Sequence, residues 1–267
     1  GSPEGFADVI ENGGSFGYDF VSDIPEDTGR TYRLDGYLFP DTYFVYADSS
    51  ETEIITKLLA NFGRKFDERL RADAAAGGYS VDEIVRLASV IESEAYFGSD
   101  MPGIASVFRN RLANSRYSFL ESDATVKYAK ELGGDDAMLT SDDIRSLESP
   151  YNTYKNKGLP PGAICNPGLD AIRAALYPAD TDYYYFYSNL ATRETYFSRT
   201  YEEHEAVIDR IQQTKPIVED GTKTTTTQVA FGVGTSQNTE PATDEYGNPL
   251  EAETTTAVDE ESGNEEE

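Results

Sequence analysis

The sequence is nearly devoid of the side chains that most metal and nucleophile sites use. It contains one cysteine, one histidine and no tryptophan in 267 residues. A single cysteine, Cys165, excludes an intrachain disulfide and a multi-thiolate zinc site, and a single histidine, His204, excludes multi-histidine metal clusters. His204 is also the only imidazole base that a serine or cysteine nucleophile could use. We therefore expect no metal and no cofactor, and we expect both residues to be structural.

Basic residues and long apolar runs are also scarce. The chain has 22 lysines and arginines against 49 aspartates and glutamates, which gives a net charge of −27. Such an acidic protein repels phosphate backbones and anionic lipid heads, so we do not expect it to bind nucleic acid. No apolar run approaches the roughly 18 residues of a membrane span, and no signal peptide opens the chain. Because Gly1-Ser2 is typical of a cloning remnant, we expect the native chain to extend before it.

Capping residues and apolar periodicity predict a mainly helical body. Ser50 precedes an amphipathic segment that we expect to stay helical to about Arg71, and Ser80 precedes a second such segment. In the second segment the apolar positions from Val81 to Ala95 keep the 3.6-residue period of a helix. Four further helices are predicted at residues 102–112, 141–147, 168–176 and 201–212.

Few strands are expected beside these helices. Residues 42–46 are one candidate, and the aromatic segments 182–188 and 195–198, joined by a polar turn, favour a hairpin. The predicted fold class is therefore α+β, a mainly helical domain with a small β-hairpin. Residues 219–267 are acidic and threonine-rich, with too few apolar groups to offset the entropy of ordering, and are predicted to be a disordered tail.

Two glutamates lie near the end of the helix that follows Ser80. At about 100° per residue the apolar stripe centres near Ala95, with Glu92 about 60° to one side and Glu94 about 100° to the other. The two carboxylates therefore diverge and do not serve one reacting atom together. Glu92 is expected to lie half against the core, where desolvation would keep it protonated as an acid. The structural alternative is a glutamate on the helix flank that pairs with Arg86.

A loop rich in proline and glycine spans residues 149–168. Rigid loops of this kind often carry binding groups. Tyr151, Asn152 and Tyr154 combine flat apolar rings with an amide, which suits a sugar that presents C–H faces and acetamido groups. The alternative is a turn-rich loop pinned by aromatic packing.

Three more polar residues are candidates for a binding site. Asn110 lies near the end of a predicted helix, and Ser122 and Asp123 precede another helix that begins near Ala124. On these residues alone, capping of the helix by Ser122 or Asp123 is the favoured interpretation.

Five segments carry motifs in a fixed order. They are 34–43 (LDGYLFPDTY), 88–94 (ASVIESE), 107–112 (VFRNRL), 122–128 (SDATVKY) and 149–168 (SPYNTYKNKGLPPGAICNPG). In this order they resemble the YceG-like family of endolytic murein transglycosylases, also called MltG, over about residues 31–210. Three positions depart from the residues usual in that family, namely Asp35 for glutamate, Ala124 for proline and Glu121 for glutamine.

The resemblance implies a site, a location and partners. It implies that Glu92 is the catalytic acid and base, and that the glycan is surrounded by Asn110, Ser122, Asp123, Tyr151, Asn152 and Tyr154. Because full-length members carry a membrane helix and a LysM-like subdomain, residues 1–30 would lead from a removed LysM-like region and residues 31–218 would be the catalytic domain. The native protein would then act at the extracytoplasmic face of the bacterial cell membrane, attached only through that helix. The implied partners are peptidoglycan glycan strands and peptidoglycan synthases.

The implied reaction needs only one acid. The glutamate protonates the oxygen that links N-acetylmuramic acid to N-acetylglucosamine and then accepts the proton of the muramyl C6 hydroxyl, which closes a 1,6-anhydro ring without water. Two alternatives remain open. One is a glycan-binding module without turnover, and the other is a hydrolytic muramidase that uses Glu92 with a second carboxylate, Glu121 or Asp123.

Overall fold

The described part of the chain is mainly helical, with one two-stranded antiparallel sheet. The computed structural model describes residues 2–213 apart from residues 13, 15, 27 and 28. The predicted α+β class is confirmed for these residues. The predicted disordered tail at 219–267 and the predicted boundary at residue 218 lie outside them.

The N-terminal half of the described chain contains five α-helices. They are α1 (Pro3–Asn12), α2 (Asp19–Ser22), α3 (Glu51–Lys65), α4 (Glu68–Ala76) and α5 (Val81–Glu94). The predicted starts of α3 and α5 are confirmed, because Ser50 and Ser80 each form a capping box with the glutamate three residues later. These reciprocal bonds satisfy two of the free N–H groups at each helix start.

The single helix predicted from Ser50 to about Arg71 is wrong. The helix ends at Lys65, and a new helix begins at Glu68. It begins there because the side chain of Asp67, the N-cap residue, accepts a hydrogen bond from the Leu70 backbone N–H at 2.9 Å. Phe62, Phe66 and Leu70 are all buried and four residues apart. The apolar period therefore continues across the break and does not reveal it.

The strand predicted at residues 42–46 is also wrong. This segment has no regular secondary structure, and Phe44 and Tyr46 are 88% and 84% exposed. The Tyr43 hydroxyl donates instead to the backbone carbonyl of Phe39 at 2.6 Å. An alternating pattern becomes a strand only beside a neighbour that supplies ladder hydrogen bonds, and the described residues provide none there.

The C-terminal half of the described chain adds five helices and the sheet. They are α6 (Met101–Ala113), α7 (Asp123–Leu132), α8 (Ser141–Ser146), α9 (Leu169–Leu176), β1 (Tyr185–Ser188), β2 (Thr195–Ser198) and α10 (Tyr201–Gln213). The predicted hairpin is confirmed, with Tyr185 opposite Ser198 and Ser188 opposite Thr195, although β1 is shorter than expected. Among the described helices, none has the length and apolar character that a bilayer crossing requires.

Helix α5 lies at the centre of the core. It packs against α4, α6, α7 and α9, and its side chains Ile84, Leu87, Ala88 and Ile91 are almost completely buried. Its C-terminal end, which carries both candidate glutamates, therefore lies where several helices meet.

Candidate active site

Glu94 is the last residue of α5, and its carboxyl faces the start of α7. Its Oε1 accepts a hydrogen bond from the Ser122 hydroxyl at 2.5 Å and another from the Ala124 backbone N–H at 3.4 Å. Burial raises the pKa of Glu94, the two hydrogen bonds partly offset this rise, and the nearby charge of Asp123 adds to it. The result is an enclosed carboxyl that holds a proton more strongly than an ordinary glutamate.

Ser122 occupies the N-cap position of α7 without capping the helix. Its side chain makes no bond to the first turn and donates to Glu94 instead, so the capping interpretation is wrong for Ser122. The residue is 2% exposed, and its backbone N–H donates to the Thr153 hydroxyl at 3.0 Å. Thr153, from the loop at 149–168, thus fixes the serine that contacts Glu94.

Tyr154 and Asp123 complete a polar group around the same carboxyl. The Tyr154 hydroxyl donates to Asp123 Oδ1 at 2.8 Å. Burial raises the pKa of Tyr154, and the charges of Asp123 and Glu94 raise it further. We call Glu94, Ser122, Asp123 and Tyr154 the Glu94 cluster. It brings together three of the six residues that the sequence suggested would surround a glycan.

Glu121 borders this cluster on a constrained backbone. Its φ of +55° lies in the left-handed region, which is strained for a residue with a side chain. Its Oε2 accepts a hydrogen bond from Arg111 at 2.7 Å, and Arg111 itself is 5% exposed. The proposed second carboxylate is therefore already engaged by a buried guanidinium.

Glu92 lies on the other side of α5. Its Oε2 accepts a hydrogen bond from the Gly168 backbone N–H, 3.1 Å away, at the start of α9. The two glutamates therefore have different neighbours, as their angular separation on the helix predicts. Arg86 does not pair with Glu92. It forms an ion pair with the buried Asp82 at 2.8 Å and donates to the carbonyl of Pro160.

The other three predicted glycan residues lie within the internal hydrogen-bond network of the protein. Asn110 gives its amide hydrogens to two backbone carbonyls just before β1, at 2.9 Å each. Asn152 is fully buried and donates to two carbonyls at the end of α8, at 3.0 Å each. Tyr151 is 1% exposed, and its hydroxyl accepts a hydrogen bond from the Thr31 N–H at 3.2 Å. The structure does not bring these three side chains into the Glu94 cluster.

Cys165 and His204 are held by packing. The Cys165 thiol donates to the carbonyl of Ser89, and burial raises its pKa to about 11. His204 stacks on Tyr185, and burial together with the Arg111 charge lowers its pKa. Within the described ranges, no three His, Cys, Asp or Glu side chains are grouped so that they could hold a metal ion.

Two members of the site were missed by the sequence reasoning. These are Glu94, which the helical wheel placed on the flank opposite Glu92 without a role, and Thr153, which supports Ser122. The predicted start of α7 could have pointed to Glu94. The free N–H groups at the start of a helix favour a nearby carboxylate, which can come from another part of the chain.

Over the described residues, the structure thus defines a mainly helical protein in which the Glu94 carboxyl is enclosed between the end of α5 and the start of α7. The chain belongs to the YceG-like family, whose family model matches residues 6–210. That match also covers most of residues 1–30, which the sequence interpretation placed before the catalytic domain.

Curated relatives and a solved structure are similar to this chain. The endolytic murein transglycosylase of Bacillus subtilis strain 168 is 38% identical over 173 residues, which is 65% of this chain and 46% of the relative. That of Streptococcus pneumoniae D39 is 32% identical over 182 residues, which is 67% of this chain and 32% of the relative. The chain therefore spans half or less of the length of these relatives. The crystal structure of a YceG-like protein from Listeria monocytogenes superimposes with a TM-score of 0.65 at 36% identity, covering 76% of this chain and 66% of that one.

Proposed function

We propose that this chain is the catalytic part of an endolytic murein transglycosylase, with Glu94 as its single acid and base. Family membership and two relatives of that name support the reaction class. The observation that carries the residue assignment is the enclosed Glu94 carboxyl, which has a raised pKa and lies among Ser122, Asp123 and Tyr154.

Glu94 fits the role of the acid better than Glu92. A general acid must hold a proton near neutral pH and must face polar groups that can receive a substrate. The raised pKa of Glu94 favours the first requirement, and the half-exposed Tyr154 and exposed Asp123 beside it favour the second. Glu92 accepts a hydrogen bond from the backbone N–H that begins α9, and among the described contacts it has none with Ser122, Asp123 or Tyr154.

The first step is proton donation by Glu94. Because the Ser122 hydroxyl and the Ala124 N–H both donate to Oε1, the proton of the neutral acid lies on Oε2. Oε2 delivers it to the oxygen that joins C1 of N-acetylmuramic acid to N-acetylglucosamine, and the C1–O bond breaks. The nearby negative charge of Asp123 favours the positive, oxocarbenium-like sugar that forms.

The second step returns the proton to the enzyme. Glu94 is now a carboxylate, stabilised by the two hydrogen bonds on Oε1. It accepts the proton of the muramyl C6 hydroxyl while that oxygen bonds to C1. The products are a 1,6-anhydromuramyl end and a free N-acetylglucosamine hydroxyl, no water is consumed, and Glu94 is ready for another cycle.

Hydrolysis with a second carboxylate is the main competing reaction. An inverting or retaining glycosidase needs a second carboxylate free to activate water or to attack the sugar. Glu121 is engaged by Arg111, and Asp123 Oδ1 accepts the Tyr154 hydroxyl hydrogen bond. These contacts favour the one-acid mechanism, and Asp123 is the remaining candidate if water is used.

The experiment is product analysis of purified peptidoglycan by mass spectrometry. Parent chain, Glu94→Gln and Glu92→Gln are compared, since the two substitutions are identical in chemistry and lie on one helix. We expect internal cuts with 1,6-anhydro ends from the parent, a loss of about 10²–10⁴-fold in rate with Glu94→Gln, and activity close to the parent with Glu92→Gln.

Each alternative has its own result. The reverse pattern between the two variants would assign the acid to Glu92. Reducing ends from the parent would mean hydrolysis, and Asp123→Asn would then test the second carboxylate. Binding of glycan strands without any cleavage would mean a glycan-binding module.

The substrate also sets the place of action that we propose. Peptidoglycan strands lie outside the cell membrane, so the protein would work at the extracytoplasmic face, beside the peptidoglycan synthases that produce nascent strands. Co-purification of synthases with the membrane-extracted native protein tests this part.

A further inference from the structure

Asp35 has a carboxylate oxygen that is left free beside the Glu94 cluster. Its Oδ2 accepts a hydrogen bond from the Tyr128 hydroxyl at 2.7 Å, whereas Oδ1 receives none from the residues that the structure describes. The side chain is half-buried. Burial raises its pKa, and the Tyr128 hydrogen bond and the Arg30 charge partly offset the rise. A half-buried acid with one unused oxygen is able to accept a hydrogen bond from a ligand.

One path of contacts joins Asp35 to Glu94 through α7. Tyr128 lies four residues after Ala124, so the two share one face of the helix. The Tyr128 hydroxyl bonds Asp35, and the Ala124 backbone N–H bonds Glu94. Asp35 and Glu94 therefore both contact α7, at residues that are about one helical turn apart.

A second path runs through the loop before α9. Asn166 Oδ1 accepts a hydrogen bond from the backbone N–H of Gly36, the neighbour of Asp35, at 2.9 Å. The Cys165 sulfur lies 3.5 Å from the Ser93 hydroxyl oxygen, and Ser93 directly precedes Glu94. The pKa of Cys165 is raised chiefly by burial and also by the charges of Glu92 and Asp35, which is consistent with this proximity.

The two paths close a ring of contacts with Asp35 and Glu94 on opposite sides. Every side chain in the ring is at least partly exposed, and its members are Asp35, Asn166, Cys165, Ser93, Glu94, Ala124 and Tyr128. The apolar residues next to two of them in sequence, Leu34 and Ile164, are buried. The ring therefore lies at the protein surface and carries both carboxyls.

We propose that Asp35 binds the sugar on which Glu94 acts. Its Oδ1 accepts a hydrogen bond from an O–H or amide N–H of an N-acetyl sugar seated between the two carboxyls, while Tyr128 fixes Oδ2. An N-acetyl sugar carries several such donors, which match a lone acceptor. The inference rests on the proposed function and adds a substrate-binding residue to it.

The test uses soluble glycan strands without peptide cross-links as the substrate. Initial rates of formation of new chain ends give kcat and KM for the parent, Asp35→Asn, Asp35→Glu and Tyr128→Phe. Asp136→Asn is the matched control, because Asp136 is exposed and follows the far end of α7. Thermal midpoints of all variants separate binding effects from loss of fold.

We expect Asp35→Asn to raise KM about tenfold or more with a smaller change in kcat, as for the loss of a charged hydrogen bond. Asp35→Glu should restore most of the affinity, Tyr128→Phe should give an intermediate KM, and the control should match the parent. An unchanged KM in Asp35→Asn overturns the proposal. Equal losses in Asp35→Asn and Asp35→Glu, with lowered thermal midpoints, also overturn it because they indicate a structural role.

The failure of the proposed function would be seen separately. If the parent and Glu94→Gln both fail to cleave, the transglycosylase proposal fails. Calorimetric titration of the same strands then decides the Asp35 proposal, which requires weaker binding by Asp35→Asn than by the parent. Equal binding by the two would overturn it.

Discussion

Gly36, next to Asp35, should be among the positions least tolerant of a side chain. Its φ is +93°, in the region where a residue with a Cβ is strained. An added Cβ would lie 2.6 Å from Ala163 Cβ and closer still to Val85 Cγ1. Real Cβ atoms essentially never come so near, and both neighbours are buried and fixed by the backbone or by packing.

The cost of Gly36→Ala has two parts. The left-handed backbone costs about 1–2 kcal/mol for alanine, and overpacking of a well-filled site adds about 1–3 kcal/mol. We therefore expect the free energy of unfolding to fall by about 2–5 kcal/mol. Gly78→Ala is the matched control, because Gly78 has a φ of +80° and no atom within 4 Å of its would-be Cβ. It should lose only the backbone part, about 1–2 kcal/mol.

Urea denaturation followed by far-ultraviolet circular dichroism measures both variants. With similar m-values, the midpoint of Gly36→Ala should lie well below that of Gly78→Ala, and the difference should correspond to about 1–3 kcal/mol. The reasoning is refuted if the two glycine variants lose the same amount. That result would mean that Val85 and Ala163 yield to the new methyl group, and that the segment carrying Asp35 is not held tightly against α5.

Two further predictions concern the environment of Glu94. Ser122→Ala removes a hydrogen bond that lowers the pKa of Glu94, so the alkaline limb of the kcat/KM profile should move to higher pH, whereas Ser93→Ala, one residue away on the same helix, should leave it in place. Because the folded-state pKa of Glu94 is raised above the reference value of 4.5, its contribution to stability is present below that pH and is lost as pH rises through the folded pKa. The stability of Glu94→Gln relative to the parent should therefore increase from pH 4 to pH 7. If the difference between the urea midpoints of the variant and the parent is the same at both pH values, the prediction is contradicted.

Local signals in the sequence predicted the helix starts well. Ser50 and Ser80 satisfy N–H groups within one turn of themselves, so their effect needs no knowledge of the rest of the fold. The break before Asp67 was missed because a competing cap interrupts a helix without disturbing the apolar period. The prediction of a strand near Tyr43 was wrong for a non-local reason. A strand needs a neighbouring strand to pair with, and the local pattern does not show whether one is present.

Identifying the candidate acid required knowledge of how α5 packs against other helices, which a helical wheel of α5 alone does not show. The wheel separated Glu92 from Glu94, but it placed Glu94 on a flank about 100° from the apolar centre and gave no partner for its carboxyl. The start of α7 covers that flank and brings Ser122 and Ala124 to the carboxyl from about 30 positions away in sequence. Three of the six residues that the motifs suggested, Ser122, Asp123 and Tyr154, lie in the Glu94 cluster. The polar groups of Asn110, Tyr151 and Asn152 have another role. They form hydrogen bonds with backbone carbonyls and N–H groups inside the protein.

The position of Glu94 between two helix ends would let one group act as both acid and base, as the proposed mechanism requires. As the last residue of α5 it lies at the negative end of a helix dipole, which, together with burial, favours the protonated form. The start of α7 presents the positive end of another dipole, and its Ala124 N–H and the Ser122 hydroxyl favour the carboxylate. A purely hydrophobic pocket would hold the proton too firmly for donation, and a purely polar one would leave no acid at neutral pH. A carboxyl shared between opposite helix ends avoids both limits, which is what a reaction without a second carboxylate requires of its single titrating group.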